Sequence, residues 1–196
     1  MSGEAPKLLS VSDFLAWDAR QEDRFELLDG IIVAMASPSR RHAALKRRLY
    51  RTIKRACGER CDVYVGDMTV RIEQTLRHNA PKPDIVVTCD ERDRRPEDLS
   101  LATISYPKVV VEVLSPTTAA SDLNSKVHSF FALPTIEEYV CVDSRKRFAV
   151  LHRRSGPDEV VETWPTSMIQ LRSIGAELSI DELYDGLFQD RASPES

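Results

Sequence analysis

Apolar and polar positions alternate with two different periods along this chain, and the change of period marks its predicted elements. Ser10 or Ser12 precedes a short apolar pattern and predicts a first helix capped by one of these hydroxyls. Two strand-like runs within residues 25–34 are joined by Asp29 and Gly30. This pair tolerates the positive φ values of a two-residue turn, so the pattern predicts a β-hairpin.

A long amphipathic helix is predicted from about Arg40 to Cys57, introduced by Ser39 and ended by Gly58. Its apolar positions recur at helical spacing and should face a core: Leu45, Leu49, Ile53 and Ala56. The other face carries eight cations without an acid: Arg40, Arg41, Lys46, Arg47, Arg48, Arg51, Lys54 and Arg55. Such a face either attracts phosphates or is solvated and paired with acids from elsewhere.

The remaining pattern predicts further strands and two more helices. Strands are expected at about 62–72, 83–88, 107–114, 139–143, 148–153, 159–164 and 171–180, with a charged solvated loop at 90–100. A helix capped by Ser121 or Asp122 should end at Pro134, and a short final helix should cover 180–187. This order predicts an α/β (α+β) fold with a central mixed sheet flanked by helices, an N-terminal hairpin and extra C-terminal strands.

Length and composition limit the number of domains and the class of protein. The chain has 196 residues, of which 42% are apolar, enough for one domain, which we place at residues 9–188. The polar ends, 1–8 and 189–196, are predicted to be disordered. The net charge of −4 gives no overall basic signature for nucleic acid. The chain shows neither a membrane-spanning stretch nor a signal-peptide core, so we expect a soluble cytoplasmic protein without membrane contact.

Four cysteines are present, and two of them, Cys57 and Cys61, lie close together. No second close pair or neighbouring histidine completes a zinc pattern. We therefore expect Cys57, Cys61, Cys89 and Cys141 to be reduced structural thiols.

Two acid-bearing apolar runs carry the strongest functional signal. Asp84 opens the run Pro83-Asp84-Ile85-Val86-Val87, and Glu112 lies inside the run Val109-Val110-Val111-Glu112-Val113-Leu114. An ionised glutamate in a buried strand is costly unless a charged partner meets it, and a divalent cation shared with a second carboxylate is one such partner. Alternatively, Asp84 bonds only the amides of its own turn, and Glu112 only a basic side chain.

Lys126 is the third member of this constellation. It lies at the border of the buried face of its predicted helix, from which its side chain can fold back over the end of the Glu112 strand. Its ammonium would then orient a water or offset charge in a phosphoryl-transfer transition state. The alternative is a lysine paired with Asp122 at i,i+4 spacing. His42, at the start of the basic helix, can touch a phosphate or align water, or be structural.

These residues together resemble the PD-(D/E)xK nuclease superfamily, and more closely its bacterial family of restriction-endonuclease-like proteins long known as a domain of unknown function. The Pro-Asp pair at Asp84, the Val-Val-Glu-Val-Leu-Ser-Pro run at Glu112 and the helical Lys126 carry the resemblance. Further matching pieces lie at 25–30, at 37–42, at 138–143 and at 181–183, so the likeness covers about Leu9 to Leu187.

The resemblance implies a DNA endonuclease in which Asp84 and Glu112 bind Mg²⁺ or Mn²⁺ and Lys126 completes the catalytic set. The lysine usual two residues after the glutamate is replaced here by Leu114, which makes Lys126 its displaced counterpart. The resemblance also suggests that Glu26 approaches the metal, although a solvent-facing strand glutamate is the alternative. It further implies a homodimer, and it favours DNA contact by Arg40, Arg41, Arg47, Arg48 and Arg51.

Two functional hypotheses stay open at this point. The first is a metal-dependent phosphodiesterase acting on DNA. The second is a catalytically silent module of the same fold that binds nucleic acid or a protein, which the loss of lysine at position 114 and the acidic net charge favour. There is no glycine-rich phosphate loop, Gly-x-Ser-x-Gly elbow or dinucleotide fingerprint, so no organic cofactor is expected.

Overall fold

The structure is a computed structural model that describes residues 8–73, 78–98, 100–116, 118–157 and 159–188. The predicted disordered ends therefore lie outside the described residues, except for Leu8. None of the described helices is long and apolar enough to cross a membrane.

The described residues form five α-helices: α1 (Val11–Asp18), α2 (Arg40–Cys57), α3 (Ala119–Leu123), α4 (Ser125–Phe131) and α5 (Ile180–Tyr184). Ser10 caps α1 by accepting a hydrogen bond from the Asp13 N–H, and Ser39 caps α2 by accepting one from the His42 N–H. The predicted bounds of α2 are confirmed. It ends where Gly58, with φ of +55°, donates its N–H to the Lys54 carbonyl.

The strands of the described residues are β1 (Phe25–Leu28), β2 (Ile31–Ala34), β3 (Asp62–Val65), β4 (Thr69–Val70), β5 (Ile72–Glu73), β6 (His78–Asn79), β7 (Ile85–Thr88), β8 (Thr103–Ile104), β9 (Val109–Leu114), β10 (Glu138–Asp143), β11 (Ala149–Arg154), β12 (Val160–Thr163), β13 (Met168–Leu171) and β14 (Ala176–Ser179). The predicted hairpin is β1–β2, in which Asp29 and Gly30 both have positive φ. The central order of elements agrees with the predicted mixed fold.

Six strands form the central sheet, in the spatial order β12-β11-β10-β9-β7-β3. Only β9 and β10 run parallel, and α3 and α4 make the crossover between them. The other neighbours are antiparallel. Because β7 and β9 are adjacent and antiparallel, the start of β7 and the end of β9 lie at the same edge of the sheet. This arrangement brings the two predicted acids together.

The two faces of the sheet are covered by different elements. On one face, Val109, Val111 and Val113 belong to a cluster with the apolar stripe of α2, the β13–β14 hairpin and α5. On the other, Val110 and Leu114 belong to a cluster that includes Phe130 of α4. Since side chains alternate along a strand, Glu112 lies on the α4 side. Each fully buried aliphatic side chain of these clusters contributes about 1.5–3 kcal/mol.

The β1–β2 hairpin attaches to the rest of the chain through few hydrogen bonds. Leu27 and Ala80 exchange both backbone hydrogen bonds in an isolated bridge, and Asn79 Oδ1 accepts the Asp29 N–H at 2.8 Å. Val11, Phe14 and Leu27 form a small separate core beneath the hairpin. These contacts fix the position of Glu26, which β1 carries.

Two predicted elements are divided. The strand expected at 62–72 is split into β3, β4 and β5, because Gly66 and Asp67 have positive φ and turn the chain. The helix expected from Ser121 or Asp122 is two helices with a break at Asn124, and both proposed caps lie inside the first one. At this break the Asp122 carbonyl accepts a hydrogen bond from the Tyr139 hydroxyl at 2.9 Å. A tertiary hydrogen bond thus replaces one that would otherwise lie within a continuous helix.

The prediction of four reduced thiols is wrong for two of them. Cys61 and Cys89 form a disulfide. They flank the antiparallel β3–β7 pair, in which Asp62 is opposite Thr88, so the pairing places the next residues face to face. The spacing of the cysteines along the chain does not reveal which strands pair, so it could not predict this disulfide. Cys57 and Cys141 are buried and free, as predicted.

His152 makes the stability of the fold depend on pH. It is buried against the Tyr139 ring, and its Nε2 has no hydrogen-bond partner in the described structure. Burial lowers the pKa of His152, and nearby Glu162 offsets this only in part. A histidine whose folded pKa is depressed binds its proton more weakly than in the unfolded chain. Its neutral form therefore stabilises the fold above about pH 6.5, and stability is lost as the pH falls below that.

We expect His152→Phe, which keeps a ring against Tyr139, to reduce the loss of unfolding free energy below about pH 6.5. Urea titrations of both proteins at a series of pH values measure this difference. His78→Gln, which removes a half-buried histidine elsewhere, is the matched control. Parallel pH profiles for wild type and His152→Phe would contradict the assignment.

Candidate active site

A cavity of about 310 Å³ lies where the β1–β2 hairpin, the start of α2, the adjoining ends of β7 and β9, and α3–α4 meet. Its lining includes Glu26, Asp84, Glu112 and Lys126. All four lay among the site residues predicted from the sequence, and the structure brings them together from four separate segments. His42, the remaining predicted site residue outside the arginine set, also lines the cavity.

Asp84 and Glu112 are linked by hydrogen bonds across the β7–β9 pair. Asp84 precedes β7, and its Oδ2 accepts the Val113 N–H at 2.8 Å. In return, the Asp84 N–H donates to Glu112 Oε2 at 3.3 Å. The two carboxyl groups are thus held at neighbouring positions by the backbone of the opposite strand.

Lys126 lies on the other side of Glu112. Its Nζ donates to Glu112 Oε1 at 3.1 Å and to Glu26 Oε1 at 3.2 Å. Nζ is also 3.1 Å from Asp122 Oδ1, the partner at i,i+4 spacing. Lys126 is only 3% exposed, and the three acids are equally buried. One ammonium thus reaches both the strand glutamate and its helical neighbour Asp122, and the catalytic role of Lys126 stays a prediction.

Burial shapes the protonation of this cluster. Burial raises the pKa of Glu112 well above its usual value; Lys126 opposes the rise, while Asp122, Asp84 and Glu26 add to it. For Lys126, burial alone would lower the pKa, but the surrounding carboxylates outweigh it and raise the pKa well above normal. The ammonium therefore stays charged at neutral pH, while burial disfavours the charged form of Glu112.

Asp84 has two polar neighbours of its own on α2. His42 Nε2 lies 3.0 Å from Asp84 Oδ2, and Lys46 Nζ lies 3.3 Å from Asp84 Oδ1. Burial would raise the pKa of Asp84, but the hydrogen bond and charge of His42, the Val113 N–H and Lys46 together lower it. Asp84 is therefore ionised at neutral pH. His42 and Lys46 are one helical turn apart, which explains why both reach the same carboxylate.

The donor set fits a hard divalent cation. Four carboxylates meet two ammonium groups, those of Lys46 and Lys126, within one largely buried site. Glu26 Oε2 and Asp122 Oδ1 are buried and close to Lys126 but have no aligned hydrogen bond. Unsatisfied buried carboxylate oxygens are costly, and an added positive charge would relieve that cost.

The described residues hold no group of three or more His, Cys, Asp or Glu side chains arranged as a preformed metal cage. Mg²⁺ does not require one, because it commonly keeps several waters and binds proteins through one or two carboxylates together with substrate phosphates. Asp84 and Glu112 match that mode of binding.

The predicted arginine face lies away from this cavity. Arg40, Arg41, Arg47 and Arg51 are exposed on α2, and Arg41 lies over the Phe188 ring. Arg48 donates to the carbonyls of Glu182, Leu183 and Asp185 at the end of α5. None of the five arginines lines the cavity. Their contact with DNA stays a prediction.

Three further residues enter the site that were not predicted as site residues from the sequence. Asp122 was considered only as a helix cap and as a partner for Lys126, although its side chain is buried in the cluster. Lys46 belonged to the basic face, and its spacing from His42 was the available signal. Arg24 lines the cavity with Glu26 and Leu28, and this alternation along one strand face was the signal for it.

Comparison with known proteins places this geometry in a family. Residues 11–181 match the Uma2 family model, described as "Putative restriction endonuclease". The uncharacterized protein slr1290 of Synechocystis sp. (strain ATCC 27184 / PCC 6803 / Kazusa) is 33% identical over 189 residues, which are 95% of this chain and 96% of that protein. A second uncharacterized protein of the same organism, sll1609, is 27% identical over 138 residues, covering 70% of this chain and 76% of that one.

A solved structure has the same fold. It is the crystal structure of a "putative nuclease belonging to DUF820" from Anabaena variabilis ATCC 29413, with a TM-score of 0.75 and 17% identity. The match covers 92% of this chain and 99% of that one. The predicted restriction-endonuclease-like architecture is therefore confirmed.

We expect Lys126→Met to lower the unfolding free energy by about 3–5 kcal/mol at neutral pH, because it leaves three buried carboxylates without their shared cation. Those acids would then have raised folded-state pKa values, so the deficit should shrink as the pH falls and they become protonated. Denaturant titrations at neutral and acidic pH measure both effects.

Lys146→Met removes the same charge from an exposed position and should cost less than about 1 kcal/mol. If Lys126→Met costs no more than this control at neutral pH, the ammonium does not neutralise the buried acids.

Proposed function

The chain belongs to the Uma2 family, and on that premise we propose that it is a divalent-metal-dependent nuclease that hydrolyses DNA phosphodiester bonds. The observation that carries this proposal is the meeting of Asp84, Glu112 and Lys126 in one buried cavity. The two carboxylates are fixed by the sheet backbone, and the ammonium is fixed by three acids. Fixed charges of this kind suit a reaction in which negative charge develops on phosphate oxygens.

Asp84 and Glu112 are the residues that would hold Mg²⁺ or Mn²⁺. Their oxygens are hard ligands, and both side chains line the cavity at the adjoining ends of β7 and β9. When bound, such an ion polarises a phosphoryl oxygen and lowers the pKa of a coordinated water.

Lys126 would donate hydrogen bonds rather than accept a proton. Because its pKa is raised, the ammonium keeps its protons at neutral pH and cannot act as a general base. It can orient the attacking water and offset charge on the pentacovalent phosphorus. Glu26 and Asp122 hold Nζ beside Glu112 and so position it for this role.

His42 would orient Asp84. Its Nε2 contacts Asp84 Oδ2, while its Nδ1 is buried without a hydrogen-bond partner in the described structure. An imidazole held by a single contact can rotate or translate with its carboxylate when that carboxylate takes up a ligand. We place His42 as a positioning residue rather than as a phosphate contact.

The silent binding module is the second candidate, and one observation favours it. Both aligned hydrogen bonds of Lys126 end on protein carboxylates, so in this arrangement the ammonium is fully used within the fold. In that case the site would be a stabilising ion cluster. Assembly as a homodimer is compatible with either candidate and stays a prediction.

We expect the wild-type protein to nick supercoiled plasmid DNA in the presence of Mg²⁺ or Mn²⁺. Asp84→Asn preserves side-chain shape but removes one ligand charge, so its rate should fall on the order of 100-fold or more. Gel separation of nicked and supercoiled plasmid measures the rates. Glu177→Gln, which neutralises an exposed acid on β14, is the matched control and should cleave like wild type.

Two results would oppose the assignment. Equal cleavage by wild type and Asp84→Asn would show that a contaminant or another site is responsible. No cleavage by wild type with any divalent ion, on duplex or single-stranded DNA or on RNA, would favour the silent module.

Metal binding can be tested without cleavage. Saturating Mn²⁺ should raise the unfolding midpoint of wild type, since a ligand at about 100 times its Kd adds about 2.7 kcal/mol to the stability of the folded state. Asp84→Asn should show little of this rise, and Glu177→Gln should show all of it. Equal shifts in the three proteins would mean that the ion binds elsewhere.

A further inference from the structure

A pair of cations lies at the mouth of the cavity, apart from the arginine face of α2. Lys46 reaches the cavity from α2, and Arg24 reaches it from the residue before β1. The side chain of Lys46 is 18% exposed and that of Arg24 is 39% exposed. They are therefore half-buried groups at the cavity rather than cations extended into solvent.

The two cations converge beside Gly66. A Cβ built on Gly66 would lie 3.5 Å from Lys46 Nζ and 3.8 Å from Arg24 Nη2, so the two cationic nitrogens approach the same side of this residue. Gly66 has φ of +64° and donates its N–H to the Asp84 carbonyl at 2.8 Å, which ties this turn to the start of β7. An anionic oxygen that contacts both cations would therefore lie near Asp84, which is itself 3.3 Å from Lys46 Nζ.

The existing partners of these cations leave charge available. Arg24 Nε is 2.8 Å from Asp67, but Asp67 is 76% exposed and the contact has no hydrogen-bond alignment. Lys46 shares Asp84 with His42 and with the Val113 N–H. Exposed, misaligned ion pairs contribute little and exchange readily.

Lys82, which also lines the cavity, provides the contrast. Lys82 lies 2.6 Å from Asp18 in a partly buried, hydrogen-bonded pair. Its charge is thus neutralised within the fold, whereas Lys46 shares Asp84 with His42 and Arg24 has only the exposed Asp67.

We propose that Lys46 and Arg24 form a phosphate-binding site that takes a backbone phosphodiester of the nucleic-acid strand entering the cavity. This inference rests on the proposed function and deepens it by locating substrate contact at the cavity mouth. A phosphodiester bound beside Gly66 would fix the strand next to Asp84 and Glu112. The exposed arginines of α2, which do not line the cavity, would contribute at most a long-range field.

The test compares two pairs of substitutions in the full chain. Binding of a fluorescent duplex DNA oligonucleotide is measured in EDTA over a range of salt concentrations. Arg24→Met with Lys46→Met should weaken binding about tenfold or more and reduce the slope of log K against log salt by about 1 for each cation removed. Arg47→Met with Arg51→Met removes two charges from the rival surface and should have the smaller effect on both quantities.

Folding and charge are controlled separately. Thermal unfolding of each variant verifies its fold, and Arg24→Lys with Lys46→Arg keeps both charges and should keep most of the affinity. Gly66→Ala adds a methyl group 3.5 Å from Lys46 Nζ and 3.8 Å from Arg24 Nη2, and should weaken binding with little change of the salt slope. Inorganic phosphate as competitor should displace DNA from wild type more readily than from Arg24→Met with Lys46→Met.

Three outcomes would overturn the proposal. The first is an unchanged affinity and salt slope in Arg24→Met with Lys46→Met. The second is a larger loss of affinity in Arg47→Met with Arg51→Met, and the third is the absence of duplex binding by wild type. An equal loss of affinity in Arg24→Lys with Lys46→Arg would also overturn the proposal. A phosphate-binding site depends on positive charge, and this pair of substitutions keeps both charges. If binding depends on Lys46 and Arg24 but no metal supports cleavage, the proposed nuclease activity fails while the phosphate-binding site stands.

Discussion

The buried ammonium of Lys126 is the interaction on which the rest of the site depends. Glu26 from the hairpin, Glu112 from the central sheet and Asp122 from α3 would repel one another in a water-poor setting without it. One lysine from the crossover therefore joins the three parts of the molecule that surround the cavity. Burial raises the pKa of Glu112 even beside this ammonium, so the proposed divalent ion would add a second positive charge to the same cluster.

The cations of helix α2 make three different kinds of contact. Lys46 is directed with His42 at Asp84, Arg48 satisfies carbonyls at the end of α5, and the exposed arginines remain in solvent. A face that is uniformly basic in the sequence thus contributes partly to the candidate site and partly to structural support. Charge patterns along a helix show how many cations are present, and tertiary contacts decide what each one does.

Local signals predicted the elements whose bounds are set locally. Ser39 and Gly58 delimit α2, and Asp29 and Gly30 make the hairpin turn. The meeting of Asp84, Glu112 and Lys126 was also predictable, since the cost of burying Glu112 demanded a partner. Register was not predictable. The break at Asn124, the burial of Asp122 and the Cys61–Cys89 disulfide all follow from pairings between distant strands or from contacts such as that of Tyr139 with the Asp122 carbonyl.

The thin attachment of the β1–β2 hairpin has a consequence for how the chain acquires its site. Glu26 and Lys126 are separated by 100 residues, and the hairpin meets the body of the protein through the Leu27–Ala80 bridge and a few side-chain contacts. Contacts so distant in sequence form only when the intervening loop closes, at a cost in chain entropy. A partly folded or newly synthesised chain therefore has an incomplete cluster around Lys126, and the finished site coincides with the finished fold.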